Sequence, residues 1–170
     1  SSDYQAQIKD KMGNIIFVEM FNYDRDKNIF FSKGKININD VNGNKYKLSE
    51  VYINEKQEKI IGTDAKVFIN QGSLKPSEKN DPRIFANSVS ITKNKSELNK
   101  AICTYCENKG VGKSPPWTIK AKKIEHNSAN KTIYYDSAVL KIFDFPVFYF
   151  PKFFHPDPTV ERRSGFLPPS

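Results

Sequence analysis

The chain has 170 residues, a formal net charge of +8, and 38% hydrophobic and 27% charged residues, with a mean hydropathy of −0.62. That length supports one domain with a real core, and the composition excludes both a disordered chain and a bundle of membrane helices, since no apolar run approaches the roughly 18 residues such a helix needs. With 13 Phe, 8 Tyr and a single Trp, and with Ile, Val, Asn and Lys abundant, the usage is that of strands and turns; the positive charge favours anionic partners without choosing among nucleic acid, phosphorylated lipid and a membrane face.

From the N-terminus, Asp10-Lys11-Met12-Gly13-Asn14 reads as a polar turn that recurs thirty positions later as Asp40-Val41-Asn42-Gly43-Asn44. Each is followed by an extended run, Ile15 to Tyr23 and Lys45 to Ile53, and by a second polar turn, 24–28 and 54–59. The units then continue alike: Ile29 has Gly34 five positions on, Ile60 has Ala65, and far downstream Ile133 has Ala138. Alternating runs follow each small residue, through Ile36 and Ile38, Val67 and Ile69, and Val139 to Ile142. Period-2 alternation between Gly and Asn turns predicts antiparallel hairpins with one buried and one wet face, and no stretch carries a 3.6-residue period. Within the second unit Tyr46 and Leu48 are in step whereas Val51 and Ile53 are one residue out, which predicts a bulge near Ser49-Glu50. Bulges curve a sheet, so an open jelly roll or half-pipe is expected.

The stretch from 71 to 116 is richer in Gly and Pro and reads as an elaborated, loop-rich insertion, with strands expected near Ile84–Ile91 and Leu98–Tyr105. Its Cys103-Thr104-Tyr105-Cys106 spacing suits a redox motif, half a zinc site completed by His126 and His155, or a structural disulfide within the motif or to cysteines elsewhere. No paired carboxylates, no Gly-x-Ser-x-Gly elbow and no phosphate-cradling glycine loop occur, so nothing in the sequence argues for an enzyme or a cofactor. The basic charge and the aromatic residues together suggest a nucleic-acid platform. However, Phe17, Phe21, Phe30, Tyr46 and Phe68 lie in alternating runs, where a core or an apolar groove accounts for them. The lysines beside turns read as a solvated face that discourages edge pairing. The inward set read from alternation, and the candidate lining of a lipid groove, is Phe17, Phe21, Phe30, Ile36, Ile38, Tyr46, Leu48, Val67 and Ile69.

The C-terminal segment is the most distinctive. Phe145 to Phe154 is apolar on both pleat faces from Val147 to Phe150, which calls for cover on both sides, and its prolines fix an extended path. A chain that opens on Ser1-Ser2 and closes on a proline-rich apolar tail is expected to be an excised or processed fragment.

At this segment the sequence resembles the LptD (OstA) lipopolysaccharide assembly proteins of Gram-negative outer membranes. The likeness is carried by Pro115-Pro116-Trp117-Thr118-Ile119-Lys120-Ala121, Ile133-Tyr134-Tyr135 with Ala138, Phe145-Pro146-Val147-Phe148-Tyr149-Phe150-Pro151, His155-Pro156-Asp157-Pro158-Thr159-Val160, and Arg162-Arg163-Ser164-Gly165-Phe166-Leu167-Pro168. The repeated unit is similar to the OstA-type repeat of the periplasmic bridge proteins in the same pathway. The resemblance implies an all-β, open antiparallel jelly roll or half-pipe of OstA-like repeats over residues 1–150, followed by the start of a membrane β-barrel. Residues 151–170 would be a linker into its first strand, marked by Pro146, Pro151, Arg162, Arg163 and Gly165. It implies a non-enzymatic module at the periplasmic face of the outer membrane, without cofactor or nucleic acid. Such a module receives lipopolysaccharide from a bridge protein by edge-strand addition and passes it to its own C-terminal barrel and the plug lipoprotein LptE. Cys103 and Cys106 fall where the family's cysteines form disulfides to the barrel. Without the resemblance, a secreted β-repeat adhesion or scaffolding domain fits the same pattern.

Overall fold

The computed structural model describes residues 6–69, 83–104, 116–157 and 160. Among the described residues, alternation of β-branched and aromatic residues with polar ones produces eleven strands: β1 (Ala6–Lys9), β2 (Ile15–Val18), β3 (Asn22–Asp24), β4 (Ile29–Asn39), β5 (Lys45–Asn54), β6 (Lys59–Phe68), β7 (Arg83–Thr92), β8 (Lys95–Thr104), β9 (Trp117–Asn127), β10 (Thr132–Ile142) and β11 (Phe145–Pro156). They form one antiparallel sheet in the order β1-β2-β4-β5-β6-β7-β8-β9-β10-β11, with β3 also on β4. The sheet is open, since β1 and β11 end that order as edges, and no barrel start is seen among the described residues. Strands β7 and β8 lie wholly within the stretch read as loop-rich, and each is ten residues long.

The two repeated turns are the same structure. In each, the Asp carboxylate accepts from the Asn backbone at 2.8 Å and from the Asn side chain at 2.8 Å, and the Gly N–H donates to the Asp carbonyl at 3.1 Å. Gly13 and Gly43 adopt φ of 92° and 83°, a conformation that a side chain resists.

The phase shift at Ser49-Glu50 is real, but it is not a bulge confined to β5. Buried positions switch parity in the middle of every strand from β5 to β10, for instance from Leu48 to Val51, from Ala86 to Val89 and from Leu98 to Ala101. The backbone turns left-handed at this level on alternate strands, at Gly34 (φ 112°) in β4, Asp64 (49°) in β6, Lys100 (49°) in β8 and Ser137 (51°) in β10. Register is lost between Lys33 and Ile36 of β4 while β5 and β6 stay in step, so the extra residue belongs to β4. The sheet is therefore creased along one line and folds over itself. The run expected from Ile15 to Tyr23 is broken there too: β2 lies on one side of the crease, β3 on the other, and Ser32 Oγ donates to the Met20 carbonyl between them.

A row of alanines runs beside the crease in register: Ala65, Ala86, Ala101, Ala121 and Ala138, on five successive strands. All are buried. Where the halves close at Gly62, an added Cβ would stand 2.6 Å from Leu48 Cδ1.

Candidate functional site

Four inward rows cross the sheet. In the first half of the fold one runs through Ile38, Tyr46, Val67, Ile84, Cys103, Ile119, Leu140 and Phe148, and the alanine row ends at Phe150. In the second half lie Ser32, Val51, Gly62, Val89, Leu98, Ile124, Tyr135 and Phe153, and then Phe30, Ile53, Ile60, Ile91, Ser96, His126, Ile133 and His155. The two halves meet through side chains: Tyr46 Oη is 2.8 Å from Ser96 Oγ, and Tyr135 Oη donates to Cys103 Sγ at 3.8 Å.

Of the nine groove candidates, Phe30, Ile36, Ile38, Tyr46, Leu48, Val67 and Ile69 are together in this interior, each at most 5% exposed. They are packed against one another rather than open to a ligand. Phe17 and Phe21 do not join them. Ile16 and Val18 take the inward positions of β2, which turns Phe17 to the outer face, and Phe21 sits at the crease, exposed, with its ring 5.4 Å from that of Phe30.

The interior opens instead at β11. Phe148, 64% exposed, Phe150, Phe153 and His155 form the inward side of this edge strand, with ring centroids 6.1, 5.5 and 5.9 Å apart in succession, and Tyr135 packs on Phe153 at 5.5 Å. The cover expected over Val147–Phe150 is not supplied by the described residues: Val147, Phe148 and Tyr149 are all exposed. Sequence reading flagged the segment as apolar but left these rings out of the groove set. The signal that could have found them is the density of aromatic residues in Phe145–Phe154.

Polar groups pin the far end of β11. Tyr135 Oη is 3.0 Å from His155 Nε2, buried His126 Nε2 is 2.9 Å from Asp157 Oδ2, and the Asp157 N–H donates to the Lys131 carbonyl at 2.9 Å. Cys103 is a free, buried thiol, and burial pushes its pKa up to about 11; Cys106 lies outside the described residues. The two histidines are engaged with Asp157 and Tyr135, and among the described residues no three His, Cys, Asp or Glu side chains gather at one point. Pro146 and Pro151 are part of β11, whereas Arg162, Arg163 and Gly165 lie outside the described residues. What the site offers is an apolar, aromatic strip on an open sheet edge, suited to bury hydrocarbon at roughly 0.8 kcal/mol per CH₂.

An open, creased antiparallel sheet with such a strip defines an all-β module of repeated strands. Over 73 residues the chain is similar to the LPS-assembly protein LptD, with 38% identity to that protein from Pseudomonas aeruginosa strain UCBPP-PA14 and likewise to that from strain LESB58. The matched stretch is 43% of this chain and 7% of the length of those relatives. No protein-family model matches. Among solved structures, the crystal structure of LptH from Pseudomonas aeruginosa, described as the LptA-homologous periplasmic component of the lipopolysaccharide transport device, aligns with a TM-score of 0.49. Its identity is 11%, over 68% of this chain and 76% of that one.

Proposed function

We propose that this domain is a lipid-conducting module of lipopolysaccharide transport, acting at the periplasmic face of the outer membrane and passing the lipid's acyl chains along the inner side of β11. The observation that carries the reading is the aromatic strip at the open edge, with Phe148 exposed and Phe150 and Phe153 half-buried beside it, in a chain similar to LptD over 73 residues. In this reading β1, the opposite edge, receives the lipid from a periplasmic bridge protein by strand addition. The sequence beyond β11 leads to an outer-membrane barrel of the same protein and its plug lipoprotein LptE, through a linker containing Arg162, Arg163 and Gly165. The domain itself makes and breaks no bonds.

A photo-crosslinking amino acid at Phe148 or Phe153 is expected to capture lipopolysaccharide, and one at the outward neighbours Tyr149 or Phe154 is not. Capture from the outward positions alone would reject the reading.

A second reading, a secreted β-repeat scaffolding domain, is favoured by the closed packing of the seven interior residues from Phe30 to Ile69. It predicts no capture from any of these positions.

A further inference from the structure

The outer face of the first half of the sheet differs in kind from that of the second. In the second half two outward lysines of β8 and β9 are neutralised: Lys95 contacts Glu97 and Glu125 at 2.6 and 3.0 Å, and Lys123 contacts Glu97 and Glu125 at 3.2 and 3.7 Å. In the first half one outward row runs in register through Lys47, Lys66, Phe85, Ile102, Lys120 and Val139, with no acidic residue in it. Lys47 and Lys66 stand directly opposite each other, a like-charge cross-strand pair that destabilises the sheet unless an anion lies between. Both ammonium groups are held over the Phe68 ring, at 5.8 and 5.4 Å, and Lys66 also over Phe85 at 5.3 Å. Phe85 and Ile102 beside them are 43% and 38% exposed.

We propose that this outer face docks on the surface of an anionic phospholipid bilayer. Charge complementarity selects an anionic partner. The apolar members select a bilayer over a nucleic acid, because Phe85, Ile102 and Val139 gain nothing from a phosphate chain but enter the headgroup boundary, where aromatic rings and lysines sit together. Six adjacent strands spaced about 4.8 Å apart place the row over roughly 24 Å of broad sheet face, a shape that meets a plane of headgroups rather than a single strand. The lysines then take lipid phosphates and relieve the Lys47–Lys66 repulsion. This docking is independent of lipid passage along β11 and can fail or hold without it.

The test is co-sedimentation of the 170-residue chain with vesicles of phosphatidylcholine alone or mixed with phosphatidylglycerol. The chain should prefer the anionic vesicles. The triple variant Lys47→Glu, Lys66→Glu, Lys120→Glu should weaken that binding on the order of a hundredfold, from about fivefold per lysine. The same reversal at Lys27, Lys56 and Lys93, in turns at the other end of the strands, should weaken it far less. Phe85→Ser with Ile102→Ser should remove the part of the binding that survives high salt. Circular dichroism of each variant confirms that it is folded. Equal binding to both vesicle types, or equal loss in the two triple variants, would overturn the proposal. Tight binding of single-stranded nucleic acid that Phe85→Ser and Ile102→Ser leave unchanged would do so too, and would assign the face to a polyanion.

Discussion

Tyr46 Oη on β5 lies 2.8 Å from Ser96 Oγ on β8, although β6 and β7 separate those strands in the sheet. The contact crosses the interior and shows how far the sheet has folded over. Tyr46 also reaches Asp40 Oδ2 at 3.1 Å, and burial, followed by the Asp40 charge, pushes its pKa far above the ordinary 10.0. Tyr46→Phe should cost about 1–3 kcal/mol in urea unfolding, since buried Ser96 loses its partner. Because the folded pKa is raised, the tyrosine's contribution is fully present below pH 10 and declines above it, where only the unfolded chain releases the proton. The Tyr46→Phe protein should therefore lose less stability between neutral and strongly alkaline pH than the parent. An equal loss in both would refute the assignment.

The crease makes a second expectation possible. Lys100 is exposed and holds a left-handed backbone (φ 49°), with no compensating side-chain contact among the described residues. Lys100→Gly should raise stability by up to about 1 kcal/mol, seen as a melting increase of roughly 2–4 °C, and Lys100→Val should lower it. A glycine variant that melts earlier would mean that the crease is not strained at this residue.

Ala101 has zero exposure and stands between Ala86 and Ala121. Ala101→Leu should destabilise by about 1–3 kcal/mol or more, because the two halves must part to admit the side chain. A neutral effect in chemical denaturation would show that the halves are not in contact there.

The Cys103 thiol, raised to about 11 by burial despite the Tyr135 hydrogen bond, should resist alkylation in the native protein at pH 8 and react fully in denaturant. Mass spectrometry of the peptide containing Cys103 reads this directly, and rapid native labelling would contradict the burial.

The His126–Asp157 contact is buried on both sides. Asp157→Ala should cost about 1–3 kcal/mol, more if the pair is charged, and should free the end of β11. Faster amide exchange near Pro156 is the sign to look for, and unchanged exchange would place the anchor elsewhere.

The strand pattern was legible because half-buried strands alternate, and the two Asp-x-x-Gly-Asn turns were legible because only glycine accepts their backbone. The repeat was read one residue out of phase in its first copy. Phe30, not Ile29, shares a row with Ile60 and Ile133, and from each of these the left-handed residue is four positions on: Gly34, Asp64 and Ser137. A fourth copy, Ser96 with Lys100 and Ala101, is hidden in the sequence because its inward residue is a serine, which meets the Tyr46 hydroxyl in the interior. The site was harder still. Alternation tells inward from outward but not closed from open, since that depends on whether a neighbouring strand follows, and so the filled positions near Phe30 looked the same as the open ones near Phe148.

The crease falls at one level in every long strand, and the same small residues flank it from β6 to β10. The crease therefore repeats strand after strand along the sheet, and the number of strands is free to vary. Inserting one more hairpin that carries a left-handed residue followed by alanine would extend the trough by about 10 Å without altering its profile, so that reach can be adjusted by duplicating two strands at a time while the interior rows continue unbroken.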